Sequence, residues 1–442
     1  MDATDTIYAL ASAPGRAGVA VVRVSGPGSR AIAEAVAGTL PPPRQATLRT
    51  LRDAGGAAFD QALVLNFPAP ASFTGEDVLE IHIHGGRAVL AQLLDRLGEL
   101  DGARPAEPGE FSRRAFLNGR LDLTEAEAIA DLVDAETAAQ ARQALRQMSG
   151  ALGALYDDWR GRLIRVLAHA EADLDFPDED LPEGIAGALR PAVEGLAREM
   201  RRHLDDGGRG ERLRHGVEVA IIGAPNVGKS SLLNALARRD VAIVSDIAGT
   251  TRDVLEVHLD LAGVPVIVAD TAGLHEAAGD AVEQEGMRRA RRRAETADLV
   301  IVMADCADAR SFARRLTDYG LADSPGRTVI PVANKCDLAG APDGDWLPVS
   351  VRTGEGLPRL LDLLGDRAGA LIAGEAPPIT RARHRQAVAA AAEALERALS
   401  APLPELMAED LRLAARALGR ITGRVDVEEI LDVVFRDFCI GK

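Results

Sequence analysis

Nine residues, Gly223, Ala224, Pro225, Asn226, Val227, Gly228, Lys229, Ser230 and Ser231, constrain the fold of this chain more than any other stretch. They follow an apolar run, Val217 to Ile222, that reads as a buried parallel strand, and they lead into Leu232 to Ala237, which reads as a helix. In a strand, Gly-rich loop and helix arrangement the glycines let backbone N–H groups turn toward phosphate oxygens, and the helix N-terminus adds positive potential. Lys229 is then placed to reach the β- and γ-phosphates and the Ser230 hydroxyl to ligate Mg²⁺. The bland alternative is an ordinary βα turn, and the flanking strand and helix argue against it.

Three further stretches follow in an order that fits the same chemistry. Val244 to Asp253 is a Gly/Thr loop containing Ser245, Asp246, Ile247, Ala248, Gly249, Thr250 and Thr251. It is expected to act as a switch in which Thr251 completes the Mg²⁺ shell. A strand from Val264 to Ala269 delivers Asp270, Thr271, Ala272 and Gly273, where Asp270 would hold the metal through water and the Gly273 amide would sense the γ-phosphate. After strands Leu299 to Asp305 and Thr328 to Ala333 come Asn334, Lys335, Cys336 and Asp337. A carboxylate there accepts from N1 and N2 of guanine, a donor pair that adenine lacks, so the nucleotide is expected to be GTP. Ser350, Val351 and Arg352 would close over the base. The nucleotide site also takes in Asn226, Val227, Gly228 and Ser231, within an α/β P-loop domain over 215–372.

Leu274 stands where some GTPases place a water-orienting Gln, and no arginine finger is evident in the switch loop. Asn226, with carbonyls of the Ser245 to Thr250 loop, could instead cradle a monovalent cation beside the phosphates. For the water, Glu283 is the first choice and Glu276 the second; a solvated helix face explains either glutamate equally well by spacing. A solvated face is also the expected role of the Arg288 to Arg293 run.

Before this domain, Ile7 to Ala11, Val19 to Ser25 and Asp77 to His84 read as strands and 87–100 as an amphipathic helix, giving an α+β domain over 1–120. Glu80, His82 and His84 alternate onto one strand face, which suits a small-molecule pocket better than a metal, with simple solvent exposure as the bland alternative. Thr124 to Glu127 has the form of a capping box. Leu145, Met148, Leu152, Leu155, Trp159, Leu163 and Val166 then recur at helical spacing as core. Asp175 to Pro182 reads as a loop, and Asp205 to Gly216 as a linker. Helical patterning returns after 373, with Leu395, Leu399, Leu411, Leu418, Ile430, Leu431, Val434 and Phe438 as core. The chain is therefore expected to be multidomain, with 121–214 and 373–442 forming one all-α domain from two segments and the P-loop domain inserted.

At 442 residues the chain accommodates such an organisation, and a net charge of −16 weighs against coating of nucleic acid by bulk electrostatics. Cys306, Cys336 and Cys439 are widely spaced, which points to a reducing cytoplasm rather than a disulfide framework. No membrane span or export signal is evident. Of 51 basic residues only Lys229, Lys335 and Lys442 are lysine, and two of these fall in nucleotide motifs, so the third invites attention.

Pro14 to Arg16, Gly109 to Phe116, Asn118 to Leu123, Gly249 to Asp253 and the terminal Cys439, Ile440, Gly441 and Lys442 together resemble the bacterial tRNA modification GTPases of the MnmE (TrmE) family, within the Era- and septin-like GTPases, over nearly the whole chain. The resemblance implies an N-terminal folate-binding and dimerisation domain, a helical domain from both flanks, and an inserted, potassium-activated GTPase domain. It implies a homodimer that, with the FAD protein MnmG in a heterotetramer, adds an aminomethyl or carboxymethylaminomethyl group to carbon 5 of the wobble uridine of certain tRNAs. The one-carbon unit would come from 5-formyltetrahydrofolate or another reduced folate. Residue by residue, it implies folate contacts at Arg23, Glu80, Arg120 and Lys442, a potassium site at Asn226, Ser245, Ile247 and Thr250, and Mg²⁺ at Ser230 and Thr251. Glu283 would orient the water, with Lys229 and Thr251 completing the catalytic set. Cys439 matches a cysteine suspected of chemistry, against the plainer expectation of a buried helical cysteine. The competing reading is an Era- or Der-like RNA-binding switch in ribosome assembly, which would carry a basic module that this chain lacks.

Overall fold

A computed structural model describes residues 5–175, 185–243, 256–270, 292, 294–308, 328–340, 344–374, 377–425, 428–436 and 438–441. In chain order these form β1 (Thr6–Leu10), β2 (Ala17–Ser25), α1 (Ser29–Ala37), β3 (Thr47–Arg52), β4 (Ala58–Phe67), β5 (Val78–Gly85), α2 (Arg87–Gly98), β6 (Ala103–Pro105) and α3 (Glu110–Leu117). Helices α4 (Leu123–Val133), α5 (Ala138–Met148), α6 (Ala151–Asp175), α7 (Ile185–Leu204) and α8 (Arg209–His215) follow. Next come β7 (Val217–Gly223), α9 (Lys229–Ala237), β8 (Glu256–Leu261), β9 (Val264–Asp270), β10 (Leu299–Asp305), β11 (Thr328–Asn334), α10 (Cys336–Ala339), β12 (Leu347–Pro348) and α11 (Leu357–Ile372). The chain closes with α12 (Ala382–Ser400), α13 (Pro404–Thr422) and α14 (Glu428–Arg436).

Contacts gather the chain into two units: Met1–Ala130, Gln147–Val193 and Ala394–Lys442 in one, Asp131–Arg146 and Glu194–Glu393 in the other. In the first unit a sheet runs β3-β4-β5-β2-β1-β6 among the described residues, antiparallel except where β1 meets β6. Period-two patterning decides its faces. Leu79, Ile81 and Ile83 of β5 are buried with Ile32 and Val36 of α1 and Leu93 and Leu97 of α2, while Glu80, His82 and His84 turn to the opposite face. There, at the β1 end, Phe111 of α3 packs on Ile7 and Ala9. Alternation in β3 and β4 is muted by arginine, threonine and glutamine, which is why patterning alone passed over this hairpin.

The helical residues differ from expectation in three places. The capping box is Asp122 with Glu125, not Thr124 with Glu127. Asp122 Oδ1 accepts the Glu125 N–H at 2.8 Å, and Glu125 Oε2 accepts the Asp122 N–H at 2.8 Å, so α4 begins one residue before Thr124. The apolar stripe is split between α5 and α6 around Gly150, whose φ is 83°, and Leu145 is 53% exposed. Within α6, Leu152, Trp159, Leu163 and Val166 are buried, as are Leu411 and Leu418 of α13. Finally, Cys439 is exposed and lies beyond α14. The segment carrying it is tied to the N-terminal sheet module: Pro108 bridges Ile440, and the Gly109 N–H donates to the Cys439 carbonyl.

In the second unit the sheet order is β12-β11-β10-β7-β9-β8 among the described residues, parallel except for the added strand β8. Its central strands are near-continuous apolar runs because both faces are covered. Val219, Ile221, Ile301 and Met303 join Leu232, Leu236, Leu360 and Leu364 on one side, while Ile222, Val300 and Val302 pack with Trp346 on the other. The expected linker 205–216 contains α8, a short helix without apolar periodicity, held by Arg385 on Asp206 and Glu211, each at 2.8 Å. The loop expected at 175–182 lies almost wholly outside the described residues.

Candidate functional site

β7, the loop after it and α9 build the cradle that the sequence predicts. Gly223 pairs with Met303 across β7 and β10, and a Cβ on it would lie 2.5 Å from the Met303 carbonyl oxygen, so only glycine fits. Gly228 sits at φ 99°, and a Cβ there would meet Asn334 Nδ2 at 2.4 Å. Lys229 Nζ donates to the Gly223 and Ala224 carbonyls, both at 3.0 Å, which holds its ammonium over the loop mouth. Val227 is buried, and Asn226 adopts φ 61°. Ser230 and Ser231 lie in the first turn of α9, the end where N–H groups lack intrahelical partners.

The residues expected on the base side meet this loop directly. Asn334, 3% exposed at the end of β11, donates from Nδ2 to the Val227 carbonyl at 2.8 Å and accepts the Val351 N–H at 3.1 Å on Oδ1. One amide thus ties the phosphate loop to the Ser350 to Arg352 turn. Lys335 takes φ 66° and pairs with Asp305 at 2.8 Å, and this hydrogen bond holds the Asp305 carboxyl below its ordinary range. Asp305 ends β10 directly opposite Asn334 in register; the sequence reading placed that strand end but gave Asp305 no role. Asp337 Oδ1 accepts the Ser350 hydroxyl at 2.8 Å and Oδ2 lies 2.8 Å from Arg352, whose side chain is 77% exposed. The Ser350 hydroxyl, with Arg352 beside it, keeps Asp337 ionised below the usual carboxylate range. Nearby, burial pushes the Cys306 thiol up to about 11 and raises Cys336 as well, which favours the neutral thiol at both.

Asp270 ends β9 beside Ile221 of β7, the strand position expected of it. Ser245, Asp246, Ile247, Ala248, Gly249, Thr250 and Thr251, then Thr271, Ala272, Gly273, Leu274, Glu276 and Glu283, lie outside the described residues, as does Lys442.

A second polar site lies on the N-terminal sheet. Arg23 and Glu80 are direct partners across β2 and β5, and Nε and Nη2 of Arg23 both donate to Glu80 Oε1, at 3.1 and 2.9 Å. The guanidinium lies 5.2 Å from the Phe73 ring and 5.8 Å from the Phe111 ring, a clamp that no sequence pattern announced. Arg120 is exposed, and its stem packs on Gly75, two residues from Phe73, where Asn118 also donates to the Thr74 carbonyl at 2.7 Å. Beneath the clamp a network fixes α3: Arg114 pairs with Asp5, Glu76 and Glu110, while Arg104 bridges Asp5 and Glu110. Burial alone would push the Glu110 carboxyl up; Arg104, the Glu107 N–H and Arg114 outweigh it and hold it below its ordinary range.

Family comparison agrees with both halves of this architecture. A model described as the GTP-binding protein TrmE N-terminus matches residues 6–120, and the MnmE helical domain matches residues 123–439. A tRNA modification GTPase MnmE from Rhodospirillum rubrum is 58% identical, with 99% of each chain covered. This chain belongs to the MnmE family. Another MnmE, from Parvibaculum lavamentivorans, is 59% identical over 99% of this chain and 100% of its own length, and one from Paramagnetospirillum magneticum is 56% identical with the same coverage. The MnmE helical match encloses the P-loop domain, so helical segments flank an inserted GTPase domain that carries a GTP and Mg²⁺ site. Among the described residues no helix is long and apolar enough to cross a membrane.

Proposed function

We propose that this chain is a potassium-activated GTP hydrolase that, with a MnmG-type FAD protein, modifies carbon 5 of the wobble uridine in certain tRNAs. The observation that supports the nucleotide half is the Asn334 amide, which joins Val227 of the Gly-rich loop to Val351 of the turn beside Asp337. Asp337 reads guanine: its oxygens take the N1 and N2 protons when the exposed Arg352 swings away. GTP supplies the bond that is broken, and bound Mg²⁺ supplies charge neutralisation on its phosphates. Ser230 would hold that metal with Thr251, Lys229 would leave its loop carbonyls for the β- and γ-phosphates, and Asn226, with Ser245, Ile247 and Thr250, would hold potassium, which supplies the charge of a finger arginine. Glu283 orients the water.

Arg23 and Glu80 suit a reduced folate. Arg23 engages Oε1 of Glu80 and His82 Nε2 lies 3.5 Å from Oε2; a carboxylate oxygen takes more than one donor, so Oε2 can also accept from the amino edge of a pterin, while Arg120 and Lys442 provide cations for the glutamyl carboxylates. The domain limits follow as 1–120, 121–214, 215–372 and 373–442, and the chain works as a cytoplasmic homodimer. Mass analysis of wobble nucleosides from cells lacking the protein tests the reading: loss of the carbon-5 substituent is expected, and unchanged nucleosides with a ribosome-assembly defect would favour the RNA-switch alternative.

A further inference from the structure

His84 forms a pair of its own on the strand face that carries Glu80. Its backbone N–H donates to Asp60 Oδ2 at 3.0 Å, and its Nδ1 lies 2.6 Å from Asp60 Oδ1. The Asp60 side chain is 7% exposed, and its Oδ1 also accepts the Gln61 N–H at 2.8 Å. A carboxylate accepts and does not donate, so in the neutral ring the proton sits on Nδ1 and Nε2 carries the bare lone pair. The His84 side chain is 72% exposed, and among the described residues Nε2 has no partner.

The sheet is distorted around this pair on both sides. On β2 the register passes from Ala17 opposite Gly85 to Ala20 opposite Ile83, so Gly18 and Val19 together face His84. On β4 the register with β3 passes from Asp60 opposite Leu51 to Ala58 opposite Arg52, leaving Phe59 as an extra residue beside Asp60. Bulges of this kind re-aim side chains. Gly85 completes the arrangement, since a Cβ there would lie 2.5 Å from the Ala17 carbonyl. Between Glu80 and His84, His82 is flanked by Val21 and the 44%-exposed Leu63, its direct neighbours on either side. The face therefore offers the Glu80 carboxylate with His82 Nε2 3.5 Å from its Oε2, apolar neighbours on either side of the His82 ring, and the His84 lone-pair nitrogen, in a line about 13 Å long from four residues of strand rise.

We propose that His84 Nε2 is the acceptor at the far end of the ligand gripped by Arg23 and Glu80, taking the N–H of the amide that joins a reduced folate's benzoyl ring to its glutamate, with Asp60 as the residue that fixes the tautomer. The proposal rests on the folate reading of this face. Equilibrium binding of 5-formyltetrahydrofolate to the full-length chain tests it, alongside ¹⁵N NMR of the histidine rings. His84→Asn keeps the atom facing Asp60 but loses the acceptor and is expected to weaken binding about tenfold; His84→Gln, whose side-chain oxygen reaches the Nε2 position, restores most of it. Asp60→Asn is expected to move the ring proton from Nδ1 to Nε2, visible in the nitrogen shifts, and to weaken binding to a similar degree. If the wild-type chain binds folate and Glu80→Gln loses it, but His84→Asn and Asp60→Asn bind as wild type, this inference is overturned and the folate reading stands. If the wild-type chain binds no folate, both are overturned.

Discussion

Asn334 shows how much one side chain carries at the residue scale. Its amide spends a donor on Val227 and an acceptor on Val351 inside a buried setting, so Asn334→Ala strands two backbone groups. The expected cost is about 2–4 kcal/mol of stability, together with a GTP affinity at least tenfold weaker, read by thermal melts and nucleotide titration. Gly228→Ala is a separate test, because both its φ of 99° and the 2.4 Å approach to Asn334 Nδ2 forbid a methyl group. It is expected to abolish GTP binding while leaving the N-terminal module folded; normal binding would show that the loop has another way to close. The scarcity of lysine made two of these positions visible beforehand, since Lys229 and Lys335 each do what a compact ammonium does: one rests on two carbonyls and the other reaches a single carboxylate. The Phe73 and Phe111 clamp on Arg23 was not legible, because its members come together only through the fold from positions 50 and 88 residues along the chain.

At the scale of elements, α3 is fixed to the N-terminal sheet by charge as well as by apolar packing. Glu110 is 1% exposed between Arg104 and Arg114, and its folded-state carboxyl titrates below its ordinary value, so this contribution is complete above the unfolded value and lost as pH falls through the folded one. Melting temperature is therefore expected to drop on acidification below about pH 4, with Glu110→Gln already destabilised by about 3 kcal/mol at neutral pH and less sensitive to acid. Parallel acid profiles for the two proteins would contradict this role. Strongly apolar strands were legible from sequence: β10 is found at the residues its run of Leu, Val, Ile and Met marks out, and β9 extends by one residue only. Elements whose burial comes from partners were not. α8 has no apolar stripe and is held by Arg385, and the β3–β4 hairpin is half exposed, so neither carries a period strong enough to read.

Over the whole molecule, chemistry was read more readily than organisation. The order of the nucleotide motifs specified a P-loop domain between two helical segments, and family membership bears that arrangement out. How helices are shared between compact units was not legible: the unit limits fall within α4, α5, α7 and α12, because tertiary packing rather than linker composition decides them. The proposed cation finger predicts GTP hydrolysis faster in KCl than in NaCl by about tenfold or more, and equal rates would remove Asn226 from a potassium site. Titration of the purified full-length chain with guanine and adenine nucleotides in the presence of Mg²⁺ tests the central claim most directly. Guanine nucleotides are expected to bind at least about a hundredfold more tightly, with that preference lost in Asp337→Asn; comparable affinities for the two bases in the unaltered protein would contradict it.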